Sequence, residues 1–143
     1  MSIPITLDFS LHQGTFDLEI HEQIEARVVA LFGPSGSGKT SVLESIAGLR
    51  TPERGTVRIG ARTLFDSNAG VDLPAHDRRI GYVPQDLALF PHMNVRDNIL
   101  YGAASGGNAQ FDQIVVMLEL RTILHRAVTM LSGGERQRVA LAR

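Results

Sequence analysis

The order of apolar and polar positions predicts two β-strands at the start of the chain. Apolar residues alternate with polar ones between Ile5 and Leu11, and again between Phe16 and Ile20. Such alternation is typical of a strand with one buried and one exposed face. The segment between them, His12-Gln13-Gly14, has the composition of a hairpin turn. We therefore expect an antiparallel hairpin.

The pattern changes at Val28–Phe32, an unbroken apolar run typical of a strand buried on both faces. Farther along, Val42, Ile46 and Leu49 recur at the i, i+4, i+7 spacing of one helical face. A glycine-rich segment, residues 33–40, separates the run from this helix. Strand, glycine loop and helix, in that order, is the context of a phosphate-binding loop.

The rest of the chain reads first as strands and then as helices. The expected elements are strands at 56–59, 62–65 and 80–83 and a polar loop at 66–74. Residues 94–130 have helical character, with Asn94 as N-cap, Asp97 at the third helical position and a Gly-rich loop at 103–108. Ile114, Met117 and Leu118 then carry a helical period.

Composition excludes several classes of protein. The sequence has 143 residues, a formal net charge of −1 and no cysteine. This length suits about one domain. The near-neutral charge offers no basic surface for nucleic acid, and the lack of cysteine excludes disulfides and cysteine metal sites. No secretory signal and no membrane-spanning apolar run is present, so any work at a membrane is expected to pass through a partner.

The glycine-rich segment matches the phosphate-loop spacing of Gly, four residues, Gly-Lys-Thr. Its glycines allow a tight turn with inward N–H groups, and the helix N-terminus adds partial positive charge. Lys39 suits the β- and γ-phosphates, the Thr40 hydroxyl suits Mg²⁺, and Ser41 suits the α-phosphate. The predicted nucleotide-binding residues are Gly33, Pro34, Ser35, Gly36, Ser37, Gly38, Lys39, Thr40 and Ser41. A Gly/Ser-rich turn that only opens a helix is the alternative; the spacing, the Lys-Thr pair and the flanking elements all disfavour it.

A second motif, Leu131-Ser132-Gly133-Gly134-Glu135, precedes the last apolar residues. Ser132 and Glu135 have the spacing of a capping box that opens a helix. Two glycines in the first turn do not help a helix, since each costs about 1 kcal/mol against alanine. They leave a bare, positively polarised helix end, so a second phosphate-binding surface is the sharper interpretation and plain capping is the alternative.

These motifs resemble those of the nucleotide-binding domain of ATP-binding-cassette (ABC) proteins. Leu131–Glu135 is similar to the signature sequence of that family, although the best-known form has Gln at the fifth position. Gln85 is similar to the glutamine of the family's Q-loop, and taken alone it would be a solvated loop residue. The three motifs stand in the family's order, and the resemblance runs from roughly Phe9 to Arg143.

The resemblance implies roles for these residues. ATP is the expected nucleotide, with Lys39 and Gln85 as catalytic residues and Thr40 and Gln85 as Mg²⁺ ligands. Two domains would pair, as a homodimer or with another ABC ATPase subunit. Each ATP would then lie between the phosphate loop of one subunit and Ser132, Gly133 and Gly134 of the other. Integral membrane permease subunits would dock near Gln85, which implies a peripheral protein at the cytoplasmic face of the inner membrane, and no nucleic acid partner is expected.

The resemblance also implies a fold. This is an α/β P-loop ATPase core with an N-terminal antiparallel β subdomain and a helical subdomain, lacking the C-terminal part of the core. Residues 1–85 would form the β part and the P-loop core, 86–131 the helical subdomain and 132–143 the signature helix.

Within the family, the segments Asp77–Gln85 and Leu89–Gly102 are similar to those of bacterial importers of oxyanions, metals, sugars and polyamines. The short hairpin and the Val71–Pro74 segment are most similar to ATPase subunits of molybdate importers. The resemblance therefore implies an ATP hydrolase that drives solute uptake, with molybdate or a related oxyanion as the expected solute. Sulfate, iron, sugar or polyamine import is the alternative.

The sequence departs from the family pattern in two places. The hairpin loop lacks the aromatic residue that usually stacks on adenine. His12, Phe9 or Phe16 are the candidate substitutes, and an ordinary surface or core role is the favoured alternative for each. The chain ends at Arg143, before the family's Mg²⁺-binding Asp, catalytic Glu and switch His. We therefore expect a fragment that does not hydrolyse ATP by itself.

Two rival classes remain. A cassette ATPase acting on DNA or ribosomes is disfavoured by the near-neutral charge and by the short separation of Gln85 from Leu131, which leaves no room for long coiled arms. The other rival is a non-catalytic regulatory module that binds nucleotide and pairs with an intact subunit, which describes the fragment better than its parent.

Overall fold

The computed structural model describes residues 2–14, 16–102 and 108–143, and it divides into two compact units. The first ends at Gly81 and the second begins at Tyr82. The β-sheet and the phosphate-loop helix belong to the first unit, and the short helices from residue 95 onward belong to the second.

The first unit is built on a five-stranded antiparallel sheet in the order β2-β1-β3-β4-β5. Its strands are β1 Ile3–Gln13, β2 Phe16–Ala26, β3 Arg54–Ile59, β4 Arg62–Asp66 and β5 Val71–Asp72. One face of β1 is buried, as the alternation predicts, since Leu7, Phe9 and Leu11 lie in the core. The expected half-buried hairpin and the strands at 56–59 and 62–65 are therefore confirmed.

The hairpin is longer than its pattern predicts. β1 and β2 pair without a break from Ile3 opposite Ala26 to Gln13 opposite Phe16. The prediction of a turn at His12-Gln13-Gly14 is therefore wrong for its first two residues, which continue β1. The ladder extends because His12 pairs across the strands with Asp17, and their side chains are bonded through Nδ1 and Oδ1.

Two strand predictions are wrong. Val28–Phe32 forms no strand, and Val28 and Phe32 are 87% and 99% exposed. A strand needs a hydrogen-bonded neighbour. The described sheet ends at β2 on one side and at β5 on the other, and neither of these edge strands pairs with Val28–Phe32. Residues 80–83 form no strand either, and the left-handed backbone of Arg79 (φ 53°) immediately precedes them.

The prediction of a polar loop at 66–74 is wrong for the residues in its middle. Val71 and Asp72 pair with Asp66 and Phe65 as the short strand β5. The intervening turn is closed by the Asp66 carboxylate, whose Oδ1 accepts hydrogen bonds from the N–H groups of residues 68 and 69 at 3.0 Å. This local turn brings the two segments into register.

Two helices belong to the first unit, α1 Lys39–Ala47 and α2 Ala75–Arg78. Val42 is buried in the core of the sheet, and Ile46 packs against it as the helical spacing predicts. Leu49 does not continue this face; it is 59% exposed, because Gly48 ends the helix with φ 81°. The helix therefore rests on the sheet through its middle.

The second unit is helical, as expected for residues 94–130. Its elements are α3 Val95–Leu100, α4 Asn108–Met117, α5 Gly133–Ala142 and the 3₁₀ turns Arg121–Ile123 and Val128–Met130. The Asn94 cap is confirmed, since its Oδ1 accepts from the Asp97 N–H at 2.8 Å. Most of the loop expected at 103–108 lies outside the described residues, and Asn108 already belongs to α4.

The core of this unit joins α3, α4 and α5 through apolar side chains. They are Val95, Ile99, Val115, Leu120, Ile123, Val128, Leu131, Val139 and Ala142. Ile114 and Leu118 pack against this core, whereas Met117 is 77% exposed. Across the described ranges, none of the helices has the length and apolar character needed to cross a bilayer.

Candidate nucleotide-binding site

The glycine loop leads directly into α1, as its sequence predicts. Gly36 and Gly38 have φ values of 82° and 87°, a left-handed conformation that favours glycine. A Cβ on Gly36 would meet open space, but one on Gly38 would lie 2.9 Å from Cζ of Phe16. Gly38 therefore satisfies both a backbone requirement and a close approach by the hairpin.

The N-terminal end of α1 faces the loop without a side-chain cap. Gly38 is the N-cap and has no side chain, and no acidic residue lies in the first turn. The first N–H groups of an α-helix lack an intrahelical acceptor, and they carry partial positive charge. This end of α1 is therefore suited to an anion.

Lys39 brings a full positive charge to the same place. Its Nζ donates to the carbonyl oxygens of Gly33 at 2.9 Å and Pro34 at 2.6 Å, and to Oγ of Ser37 at 3.4 Å. The ammonium group thus bridges the two ends of the loop. Neutral carbonyl oxygens are weaker partners for an ammonium than phosphate oxygens, so an entering phosphate group has the charge needed to displace them.

The other predicted residues of the loop lie at the surface. Ser35, Ser37 and Thr40 are exposed, and Ser41 is half-buried at the start of α1. Next to the loop is a cavity of ≈ 290 Å³, whose lining includes Leu18, Phe32 and Lys39. All nine predicted phosphate-loop residues therefore lie together around one open end of α1.

The second motif lies in the second unit and forms the capping box that its spacing predicts. Oγ of Ser132 accepts from the Glu135 N–H at 3.3 Å, and Oε2 of Glu135 accepts from the Ser132 N–H at 2.7 Å. These hydrogen bonds, assisted by Arg126 and Arg138, hold the pKa of the Glu135 carboxyl below its ordinary value. The capping interpretation is thus correct as far as it goes.

Capping does not explain the two glycines that follow. Gly133 and Gly134 are exposed, and a Cβ at either position would meet nothing within 4 Å. Neither has a positive φ. Because no contact within the described chain requires glycine there, the bare helix end is available to a group from outside.

Gln85 is exposed and lies in a turn that the Leu87 N–H closes on the Pro84 carbonyl oxygen at 3.0 Å. Leu87 and Ala88 follow with φ values of 65° and 45°, unusual for residues with a side chain. The carbonyl oxygen of Ala88 accepts from Arg143 Nη1 at the end of the chain. Gln85 and Ser132 both belong to the second unit, and the phosphate loop belongs to the first.

Residues 17–143 match the family described as ABC transporter. The chain belongs to the ABC transporter family. The molybdenum import ATP-binding protein ModC of Vibrio parahaemolyticus is 45% identical to it over 143 residues, covering 100% of this chain and 39% of that protein. The protein of the same name from Paramagnetospirillum magneticum is 43% identical and covers 97% of this chain and 39% of that protein.

A solved structure, a bacterial Atm1-family ABC exporter with ATP bound, is also similar. Its TM-score is 0.78 at 24% identity, over 99% of this chain and 27% of that one. At this identity the likeness shows the fold alone, and it confirms the expected ABC ATPase fold class for the part present here. The chain spans 39% of the length of the two ModC relatives.

The adenine-stacking candidates of this ABC chain differ in their surroundings. Phe9 is 2% exposed and packs in the core, so it has no free face for a ligand. His12 is exposed, and hydrogen bonding to Asp17 raises the pKa of its imidazole above the ordinary value. Phe16 is half-buried beside Gly38. Of the three, Phe16 is the aromatic side chain next to the phosphate loop.

One buried contact of the phosphate-loop helix was missed from the sequence. Arg78 is buried at the far end of α1, where its side chain bonds to helix carbonyl groups. The only sequence signal is the Asp77-Arg78-Arg79 run. A charge run usually indicates a solvated surface, so this signal gave no reason to place Arg78 inside.

Proposed function

We propose that this chain is the ATP-binding part of an ABC importer subunit, and that the full-length protein hydrolyses ATP to drive the uptake of molybdate or a related oxyanion. The observation that carries the proposal is the ammonium group of Lys39, held across a glycine loop at the uncapped end of α1. The names of the ModC relatives support molybdate as the solute.

Lys39 and the loop backbone would hold the triphosphate. The ammonium group would exchange the carbonyl oxygens of Gly33 and Pro34 for phosphate oxygens, and the first N–H groups of α1 would donate to the same anion. The exposed Thr40 hydroxyl fits Mg²⁺, a hard cation that prefers oxygen ligands, and the Gln85 amide oxygen is a second candidate ligand. When bound, Mg²⁺ neutralises charge on the phosphate oxygens.

The second unit would act on the ATP of a partner subunit. Ser132, Gly133 and Gly134 form an exposed helix end with no steric need for glycine within the chain. A phosphate group can approach such an end closely. The proposed assembly is a homodimer, or a pair with another ABC ATPase subunit, bound to integral membrane permease subunits at the cytoplasmic face of the inner membrane. The proposed division keeps 1–85, 86–131 and 132–143 as its three parts.

We further propose that the 143-residue chain binds nucleotide without hydrolysing it. We assign no general base for the attacking water among the residues that the structure describes, and loss of a positioned general base typically reduces the rate about 10²–10⁴-fold. Phosphate release should match a buffer blank at every protein concentration. Turnover that survives repurification and disappears in a Lys39→Ala copy would contradict this.

The proposed function is tested in the full-length protein with Lys39→Ala. Loss of a charge-assisted phosphate contact, worth on the order of 1.5–3 kcal/mol, should weaken ATP binding by tenfold or more. Arg54→Ala is the matched control, because this exposed arginine bonds to Glu19 and Ser10 on the sheet. Unchanged ATP binding and hydrolysis in Lys39→Ala would refute the assignment.

The solute is tested separately in cells. Deleting the gene should lower molybdate accumulation at low external supply. Normal accumulation together with a defect in sulfate, iron, sugar or polyamine uptake would move the protein to another importer group.

A further inference from the structure

Arg78 is a buried arginine with an unusual set of partners. It is 1% exposed, and each nitrogen of its guanidinium group donates a hydrogen bond. Nε donates to the Leu73 carbonyl oxygen at 2.6 Å, and Nη2 to Oδ1 of Asp72 at 3.0 Å. Nη1 donates to the carbonyl oxygens of Ser45 at 2.6 Å and Ile46 at 3.1 Å. A buried charge is tolerated only when it is paired in this way.

Two of these acceptors belong to the last turn of α1, the phosphate-loop helix. The final carbonyl groups of a helix lack intrahelical donors and carry partial negative charge. α1 has no basic residue in its own last turn. Arg78 therefore supplies a cation to these carbonyl groups from another element, while Arg50, just past the helix, pairs with the Glu44 carboxylate. Gly48 leaves room for it, because a Cβ there would lie 2.6 Å from Nε of Arg78.

The backbone of Arg78 is itself fixed to the sheet. Arg62 lies in β4, and its Nη1 donates to the Arg78 carbonyl oxygen at 2.9 Å. Its Nη2 donates to the Asp77 carbonyl oxygen, also at 2.9 Å. A chain of hydrogen bonds thus connects β4 through α2 to the C-terminal end of α1.

The other end of α1 carries the phosphate site. The helix has nine residues, which at 1.5 Å per residue makes it about 13 Å long. The first N–H groups of α1 point along the helix axis. A displacement of the C-terminal end tilts this axis and therefore misaligns the N–H groups at the N-terminal end. The loop before α1 is exposed and joins no strand, so the helix is held by the packing of Val42 and Ile46 on the sheet and by the Arg78 hydrogen bonds at its C-terminal end. The anchored C-terminal end therefore helps to set the direction of the phosphate-binding end.

We propose that Arg78 is a positioning residue for the phosphate site: its cap on the C-terminal end of α1 holds the N-terminal end in the orientation that binds triphosphate. This inference rests on the proposed function of the loop. Arg78 touches no nucleotide in this arrangement and acts through the helix alone.

The test uses Arg78→Gln and Arg78→Lys in the full-length protein, with Arg54→Gln as the matched control for loss of an arginine. ATP affinity is measured by calorimetry at a temperature where circular dichroism shows each variant folded. Arg78→Gln should weaken ATP binding about tenfold, the effect of misaligning one charge-assisted hydrogen bond. Arg78→Lys keeps the positive charge but not the several donors of the guanidinium group, so its loss of ATP affinity should be smaller. Arg54→Gln should bind ATP as the parent does. If Arg78→Gln does not fold, Arg78→Lys decides by the same comparison.

Hydrogen exchange separates positioning from a general loss of stability. In Arg78→Gln, amides of α1 should exchange faster while those shared by β1 and β3 keep their protection. Parent-like ATP affinity in the folded Arg78 variants, or faster exchange spread evenly over the sheet and α1, would overturn the proposal. If the parent protein does not bind ATP, the proposed function is wrong, and the exchange pattern alone decides whether Arg78 holds α1.

Discussion

Replacing Gly38 with alanine should destabilise the protein through two separate effects. Its φ of 87° is left-handed, where a side chain costs roughly 1–2 kcal/mol. A Cβ there would also lie 2.9 Å from Cζ of Phe16 and 3.2 Å from Cδ1 of Leu18. Both atoms end side chains that are only partly buried and can shift, so the added cost should be near the lower end of the overpacking range, about 1 kcal/mol. The expected total is about 2–3 kcal/mol.

Gly36→Ala is the matched comparison because only one of the two effects applies there. Gly36 has a similar φ of 82° but no atom within 4 Å of a Cβ. Urea unfolding followed by circular dichroism should therefore show a loss of about 1–2 kcal/mol for Gly36→Ala and a larger one for Gly38→Ala. In a Phe16→Ala background, part of this excess should disappear, as a double-mutant cycle would reveal.

Equal losses for the two glycine variants would refute the reasoning, because they would mean that the hairpin does not crowd Gly38. An excess at Gly38 that persists unchanged without the Phe16 ring and in a Leu18→Ala background would refute it as well.

Two other predictions concern α5. Gly133→Ala and Gly134→Ala should not destabilise the fold, since each removes a helix penalty of about 1 kcal/mol without creating a clash. Both variants should nevertheless lower ATP turnover in the full-length protein, and unchanged turnover would contradict a role in phosphate binding. Because the pKa of Glu135 is lowered in the folded protein, its hydrogen bonds with Ser132 stabilise the fold at pH above the ordinary pKa of 4.5, and this stability is lost as pH falls through the lower folded pKa. Glu135→Gln should therefore flatten the pH dependence of the free energy of unfolding in that acid range. An unaltered pH profile in this variant would contradict the prediction.

The local features of the site could be predicted from the sequence because short-range physics decides them. The spacing of Gly33, Gly38 and Lys39 dictates a tight loop before a helix, and the structure places Lys39 across that loop. The N-cap at Asn94 and the capping box at Ser132 follow in the same way from hydrogen bonds over three residues.

The features that failed depend on residues far apart in the sequence. Val28–Phe32 has the composition of a buried strand, yet it has no partner strand among the described residues and is exposed except at Leu31, which packs against the core. Arg78 was missed for the converse reason, since its acceptors Ser45 and Ile46 lie about thirty residues earlier in the chain. The local sequence pattern cannot reveal a contact when the partner residue is distant in the sequence and is brought close only by the fold.

Protection of Lys39 by nucleotide tests the central claim most directly. Lys39 is the only lysine in the 143 residues, so an amine-reactive reagent can modify one side chain besides the N-terminus. The rate at which Lys39 is modified is followed by peptide mass spectrometry with and without MgATP, and the N-terminal amine serves as the internal control. We expect MgATP to slow modification of Lys39 in proportion to its occupancy while the N-terminus reacts at an unchanged rate. Modification of Lys39 at the same rate with saturating MgATP as without it would contradict the assignment of this loop as the phosphate site.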